Sequence, residues 1–168
     1  MNEMTQHKAT QNAYILGSRL YWLCDREKIS ADDAGSSQER RQQIHTRRLR
    51  ILIIDDEDRF RASLVYLLKH VYGAQVQDVD SGQLALEILD SDMSFDLILL
   101  DYSMPEMNGI QVYHQVRRKG CSAKVVLMSG EPGNRQLADE NDLDFLEKPM
   151  KTASLEIVLA DIGEGYPS

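Results

Sequence analysis

Four short apolar runs in this chain each lead into residues able to do ionic or nucleophilic chemistry. Ile51–Ile54 runs into Asp55, Asp56 and Glu57, Leu97–Leu100 into Asp101, and Lys124–Met128 into Ser129. A fourth run, closing at Leu146, is followed after Glu147 by Lys148 and Pro149. A dry interior expels acids, so each run reads as a buried strand that delivers a polar residue to an edge. Taken singly, the acidic triplet reads as a solvated loop, Ser129 as a turn residue and Lys148 as a solvated amine. Taken together they are three or more carboxylates, one hydroxyl and one ammonium. Crowded carboxylates raise one another's pKa unless a cation neutralises them. Mg2+ suits such a set, because it takes oxygen ligands and keeps waters and phosphate oxygens in its shell. Asp101 is then placed to act as a nucleophile and form an aspartyl phosphate. Ser129 and Lys148 would hold the phosphoryl oxygens beside the metal. In phosphoryl transfer a protein contributes mainly position and charge balance.

The elements that must position these residues are legible from Arg50 onward. Strand candidates are Ile51–Ile54, Ala74–Val79, Leu97–Leu100, Lys124–Met128 and Leu143–Leu146. ILII, LILL and VVLM are unbroken aliphatic runs, as in parallel strands covered on both faces. AQVQDV alternates, as an edge strand does. Between the strands lie segments of helical period. Asp58–Val71 places Phe60, Leu64, Leu67, Leu68 and Val71 on one stripe. Ser81 is an N-cap for a helix carrying Leu84, Ala85, Ile88 and Leu89 inward. Asn108-Gly109 opens a third helix, with Ile110, Tyr113 and Val116 inward, a basic last turn and Gly120 beyond it. The connection Gly130–Asp142 is short and contains Pro132-Gly133, so its helix is expected to be stunted. A last helix is expected from about Thr152 to Ile162. Five β–α units on short linkers imply an α/β, doubly wound parallel sheet with right-handed crossovers. Its functional edge lies at the carboxyl ends of the central strands.

These motifs resemble the response-regulator receiver domain of two-component signalling. ILIIDDED resembles that family's opening strand with its acidic pair. LILLDYSMPEMNG resembles the phosphoacceptor strand and loop, VVLMSG the switch-residue strand, and DFLEKP the last strand with its lysine. The resemblance covers residues 50–163 and implies a flavodoxin-like, five-stranded sheet of order 2-1-3-4-5. It implies Asp55 and Asp56 as metal-site acids, Asp101 as phosphoacceptor and metal ligand, and the Ser103 backbone carbonyl as a further Mg2+ ligand. It also implies Ser129 as the hydroxyl that moves toward the phosphate, Lys148 as its counter-charge and Phe145 as the switch aromatic. A cis Lys148–Pro149 peptide is expected on the same ground. The implied activity is a chain that catalyses only its own Mg2+-dependent phosphorylation and dephosphorylation. Its implied phosphodonor is a histidine kinase or a phosphotransfer protein, and its output is altered binding to another protein. The 19-residue interval from Ser129 to Lys148 is shorter than the family pattern, which puts the usual switching surface in question. A receiver-shaped interaction protein acting without phosphorylation therefore stays open as an alternative. A phosphatase of the haloacid-dehalogenase type is rejected, because Asp101-Tyr102-Ser103 lacks that family's second acid two residues after the nucleophile.

Composition narrows the rest. The 168-residue chain has a net charge of −8, which argues against general nucleic-acid binding. Cys24 and Cys121 are not in a paired spacing and read as free thiols of a reducing compartment. No apolar run is long enough to span a bilayer, and the start lacks a signal-peptide pattern, so the expected location is cytoplasmic. His7, His45, His70 and His114 show no metal-ligand spacing. Residues 1–49 are expected to be a helical extension and linker, with a helix from about Gln11 to Glu27, and residues 164–168 a tail. The aromatic-rich extension is too short for its own core. It should pack on the rest of the chain, form a homodimer or bind a partner.

Overall fold

The computed structural model describes residues 12–16, 19–23 and 48–164, with side chains for residues 48–162. The chain divides into two units, Met1–Thr46 and Arg47–Ser168. In the first, strands β1 (Asn12–Leu16) and β2 (Arg19–Leu23) pair antiparallel, with Tyr14 opposite Tyr21. The helix expected across Gln11–Glu27 is therefore corrected to a hairpin over these ten residues. NAYIL and RLYWL are rich in aromatic and branched side chains, which favour strands. The remaining parts of that expected helix, the expected linker up to residue 47 and the tail from residue 165 lie outside the described residues.

The second unit alternates strand and helix. Its elements are β3 (Arg50–Ile54), α1 (Asp58–His70), β4 (Gln75–Val79), α2 (Gly82–Ser91), β5 (Leu97–Asp101), α3 (Gly109–Arg118), β6 (Lys124–Ser129), α4 (Asn134–Glu140), β7 (Asp144–Glu147) and α5 (Thr152–Glu164). The strands form one parallel sheet in the order β4-β3-β5-β6-β7, which is 2-1-3-4-5 counted within the sheet. This is the expected flavodoxin-like fold. All side chains of Ile51–Ile54 and Leu97–Leu100 are fully buried, as the unbroken aliphatic runs require. The edge strand β4 is exposed except at Val76 and Val79, which are half-buried.

Local signals explain several of the helix ends. Asn108 caps α3 in a reciprocal box: its side chain accepts from the Gln111 N–H at 3.0 Å, and the Gln111 side chain accepts from the Asn108 N–H at 3.0 Å. Gly109 is required by close approach. A Cβ there would lie 2.6 Å from the Asp101 carbonyl oxygen and 3.0 Å from Tyr102 Cα. Gly120, at φ +81°, supplies the left-handed residue just beyond the helix. Helix α4 has seven residues, stunted as expected. Two expected inward residues point outward: Val71 is 63% exposed and Leu84 44%. Each lies at the border of its apolar stripe. In α2 the buried place is taken by Leu86, two positions further on.

Candidate functional site

Register brings the polar residues together. Ile54 is level with Leu100, so the next residues, Asp55 and Asp101, leave the sheet side by side. Asp101 is level with Met128, one residue before Ser129, and Ser129 is level with Glu147, one residue before Lys148. The ladder continues past the strand ends, with the Tyr102 N–H donating to the Met128 carbonyl at 2.9 Å and the Lys148 N–H to the Ser129 carbonyl at 2.8 Å. A slip of one residue in any pair would turn the corresponding side chain to the other face.

The Lys148 ammonium sits between two buried acids, 2.7 Å from Asp55 Oδ2 and 2.6 Å from Asp101 Oδ1. The Phe60 ring of α1 closes its other side, with its centroid 4.5 Å from Nζ. Asp55 Oδ1 accepts from the Glu57 N–H at 2.9 Å, and Asp101 Oδ2 accepts from the Ser103 N–H at 2.9 Å. Burial pushes Asp101 above the ordinary carboxylate range; the Lys148 hydrogen bond and charge pull it back, and Asp55 adds to the rise. Burial works against the Lys148 charge, but Asp101 and then Asp55 outweigh it and hold its pKa above the usual lysine value.

Asp55, Asp56 and Asp101 each offer a carboxylate oxygen within 4.8 Å of the others. Asp55 and Asp101 are buried, and Asp56 is exposed. A cavity of about 460 Å³ opens over them, lined by Asp56, Phe60, Asp101, Ser103, Glu131 and Lys148 among others. The donor set fits a hard divalent cation. Three carboxylates face one ammonium, and the fully buried Asp55 Oδ2 meets that ammonium only as an ion pair, without hydrogen-bond geometry. A cation with oxygen preference would satisfy that atom and offset the excess negative charge.

The structure thus brings Asp56, Asp101, Ser103 and Lys148 to one cavity, with the fully buried Asp55 behind its lining, paired to Lys148. Ser129 is adjacent but turned elsewhere: it is buried, does not line the cavity, and its Oγ accepts from the Glu131 N–H at 3.1 Å and from Asn134 Nδ2 at 2.9 Å. Phe145 is 3% exposed, with the Arg135 guanidinium 4.8 Å from its ring centroid. The Lys148–Pro149 peptide is cis. Sequence reasoning missed two supporting residues. Arg61 donates to the Asp55 carbonyl at 2.6 Å and pairs with Asp58 and Asp78, tying the start of α1 to the ends of β3 and β4. Its signal was the Asp58–Arg61 spacing of three on a helix. Asn134 carried no signal beyond its place in a shortened connection.

The family model for the response regulator receiver domain matches residues 51–160. The chain is 33% identical over 121 residues to the autoinducer 1 sensor kinase/phosphatase LuxN of Vibrio harveyi, covering 71% of this chain but 14% of that protein. It is 34% identical over 110 residues to the two-component response regulator ORR11 of Oryza sativa subsp. japonica, covering 62% of this chain and 74% of that one. Among solved structures it is similar to the response regulator protein TrrA of Thermotoga maritima in complex with Mg(2+)-BeF. That similarity has TM-score 0.60 and 26% identity, over 68% of this chain and 98% of TrrA. With the sheet order, the acidic cavity and its lysine already in place, the match over residues 51–160 makes the chain a member of the response regulator receiver domain family.

Proposed function

We propose that this chain is a response regulator whose Asp101 accepts a phosphoryl group from a histidine kinase or phosphotransfer protein. The observation that carries the reading is the pairing of Lys148 with both Asp55 and Asp101 at the floor of an acidic cavity. Asp55, Asp56, Asp101 and the Ser103 carbonyl would hold Mg2+, which supplies charge neutralisation for the incoming phosphoryl oxygens. The Asp101 carboxylate attacks phosphorus, a P–O bond forms, and the bond to the donor's imidazole nitrogen breaks, returning its electron pair to the donor. Lys148 balances the added negative charge and the Ser129 hydroxyl donates a hydrogen bond to a phosphoryl oxygen. The new charge then changes the surface offered to a downstream protein.

Phosphotransfer is tested with acetyl phosphate as a small-molecule donor. The native chain with Mg2+ is expected to gain one phosphoryl group, and the chain in chelator or carrying Asp101→Ala none. Equal labelling of native and Asp101→Ala chains would overturn the assignment.

A further inference from the structure

Helix α4 begins five residues after Ser129, and its first two residues grip two separate side chains. Asn134, the first residue of the helix and 7% exposed, donates Nδ2 to Ser129 Oγ at 2.9 Å. Arg135 places its guanidinium 4.8 Å from the ring centroid of the buried Phe145 in β7. A tight turn makes this reach achievable: the Asn134 N–H donates to the Glu131 carbonyl at 3.0 Å, and the Arg135 N–H to that of Pro132 at 3.2 Å. A serine hydroxyl has two lone pairs and one proton. Both lone pairs of Ser129 are engaged on the α4 side, by the Glu131 N–H and Asn134, and Ser129 does not line the acidic cavity. To donate to a group on Asp101, the hydroxyl has to turn toward the cavity.

We propose that Asn134 is a positioning residue that restrains Ser129 on the α4 side, so that engaging Ser129 at Asp101 breaks the Asn134 bond and frees the first turn of α4. The proposal rests on Asp101 being the acceptor. An interaction made only in the ligand-free state weakens every ligand that draws Ser129 away, by its full free energy. Removing it must tighten such a ligand. The short fourth helix is then a lever held at its first residue, and Asn134 sets how readily the chain switches.

The probe is beryllofluoride, titrated calorimetrically with saturating Mg2+ into the full chain. Asn134→Ala is expected to tighten binding roughly five-fold, the worth of one ordinary hydrogen bond. Asn134→Leu, which keeps the side-chain volume, should do the same and serves if the alanine variant fails to fold. A restraint acting through Ser129 must vanish without its hydroxyl, so the gain should be absent in a Ser129→Ala background. Unchanged or weaker binding in the folded Asn134 variants overturns the proposal, as does a gain that persists with Ser129→Ala. Native binding that is lost in Asp101→Ala, with no gain from Asn134 substitution, removes the restraint but leaves the acceptor reading standing. No binding by the native chain overturns both.

Discussion

Lys148 holds its ammonium against two carboxylates that would otherwise be buried with like charge. Breaking one partner out of such a cluster is more damaging than never having built it, because the remaining charges stay dry. Lys148→Met is therefore expected to destabilise the chain by about 3 kcal/mol in chelator. Added Mg2+ should recover part of that loss by occupying the same acids. Urea denaturation with and without the ion measures both effects; a variant indifferent to Mg2+ would mean that the acids do not form a cation site. The candidate set was legible at this scale because Asp55, Asp101 and Ser129 directly follow apolar runs and Lys148 follows one after a single residue, and only a strand end reconciles the two. Asn134 was not legible. An asparagine at a helix start has the same appearance whether its amide caps the helix or reaches back to a neighbouring strand.

The close fit between α3 and the end of β5 belongs to the element scale. A methyl group on Gly109 would overlap the Asp101 carbonyl oxygen and crowd Tyr102. Gly109→Ala is expected to cost about 1–3 kcal/mol of stability and to slow labelling of Asp101 by displacing its loop. Stability comparable to the native chain in chemical denaturation would show that the loop yields freely. At the opposite edge of the sheet Lys124 joins three elements, 2.6 Å from Asp144 of β7 and 2.5 Å from Asp161 of α5. Burial opposes its charge, but those two acids prevail and raise its pKa. Its folded-state pKa lies above the unfolded value, so its contribution is complete below about pH 10.4. It is lost as pH rises through the folded value. The stability gap between native and Lys124→Gln chains should hold steady from neutral to mildly alkaline pH and shrink above that point. A gap independent of pH into strong alkali would contradict the ion-pair account. Element types in the receiver were readable from period and caps, whereas Val71 and Leu84 were misplaced because a short helix leaves its stripe borders undetermined. The hairpin of β1 and β2 was misread because clustered aromatics fit both the helical and the two-residue period.

At the scale of the whole molecule, the buried apolar residues among those whose side chains are described run from Ile51 to Ile162, within the second unit. A chain starting at Arg47 is therefore expected to unfold in one cooperative transition and to keep Mg2+-dependent labelling. Loss of cooperativity on truncation would show that the first unit is needed to complete the fold. Charge is also partitioned, with eight Lys/Arg against six Asp/Glu before residue 50 and 11 against 21 from there on. A local cation would offset the acidic balance of the second unit as an anionic phosphoryl donor approaches. The most direct test is to locate the group chemically. The chain is phosphorylated with acetyl phosphate and Mg2+, reduced with borohydride so that an acyl phosphate becomes an alcohol, and mapped by peptide mass. The account predicts homoserine at residue 101 and at no other position; reduction at another acid, or a stable phosphate on Ser129 or a histidine, would contradict it.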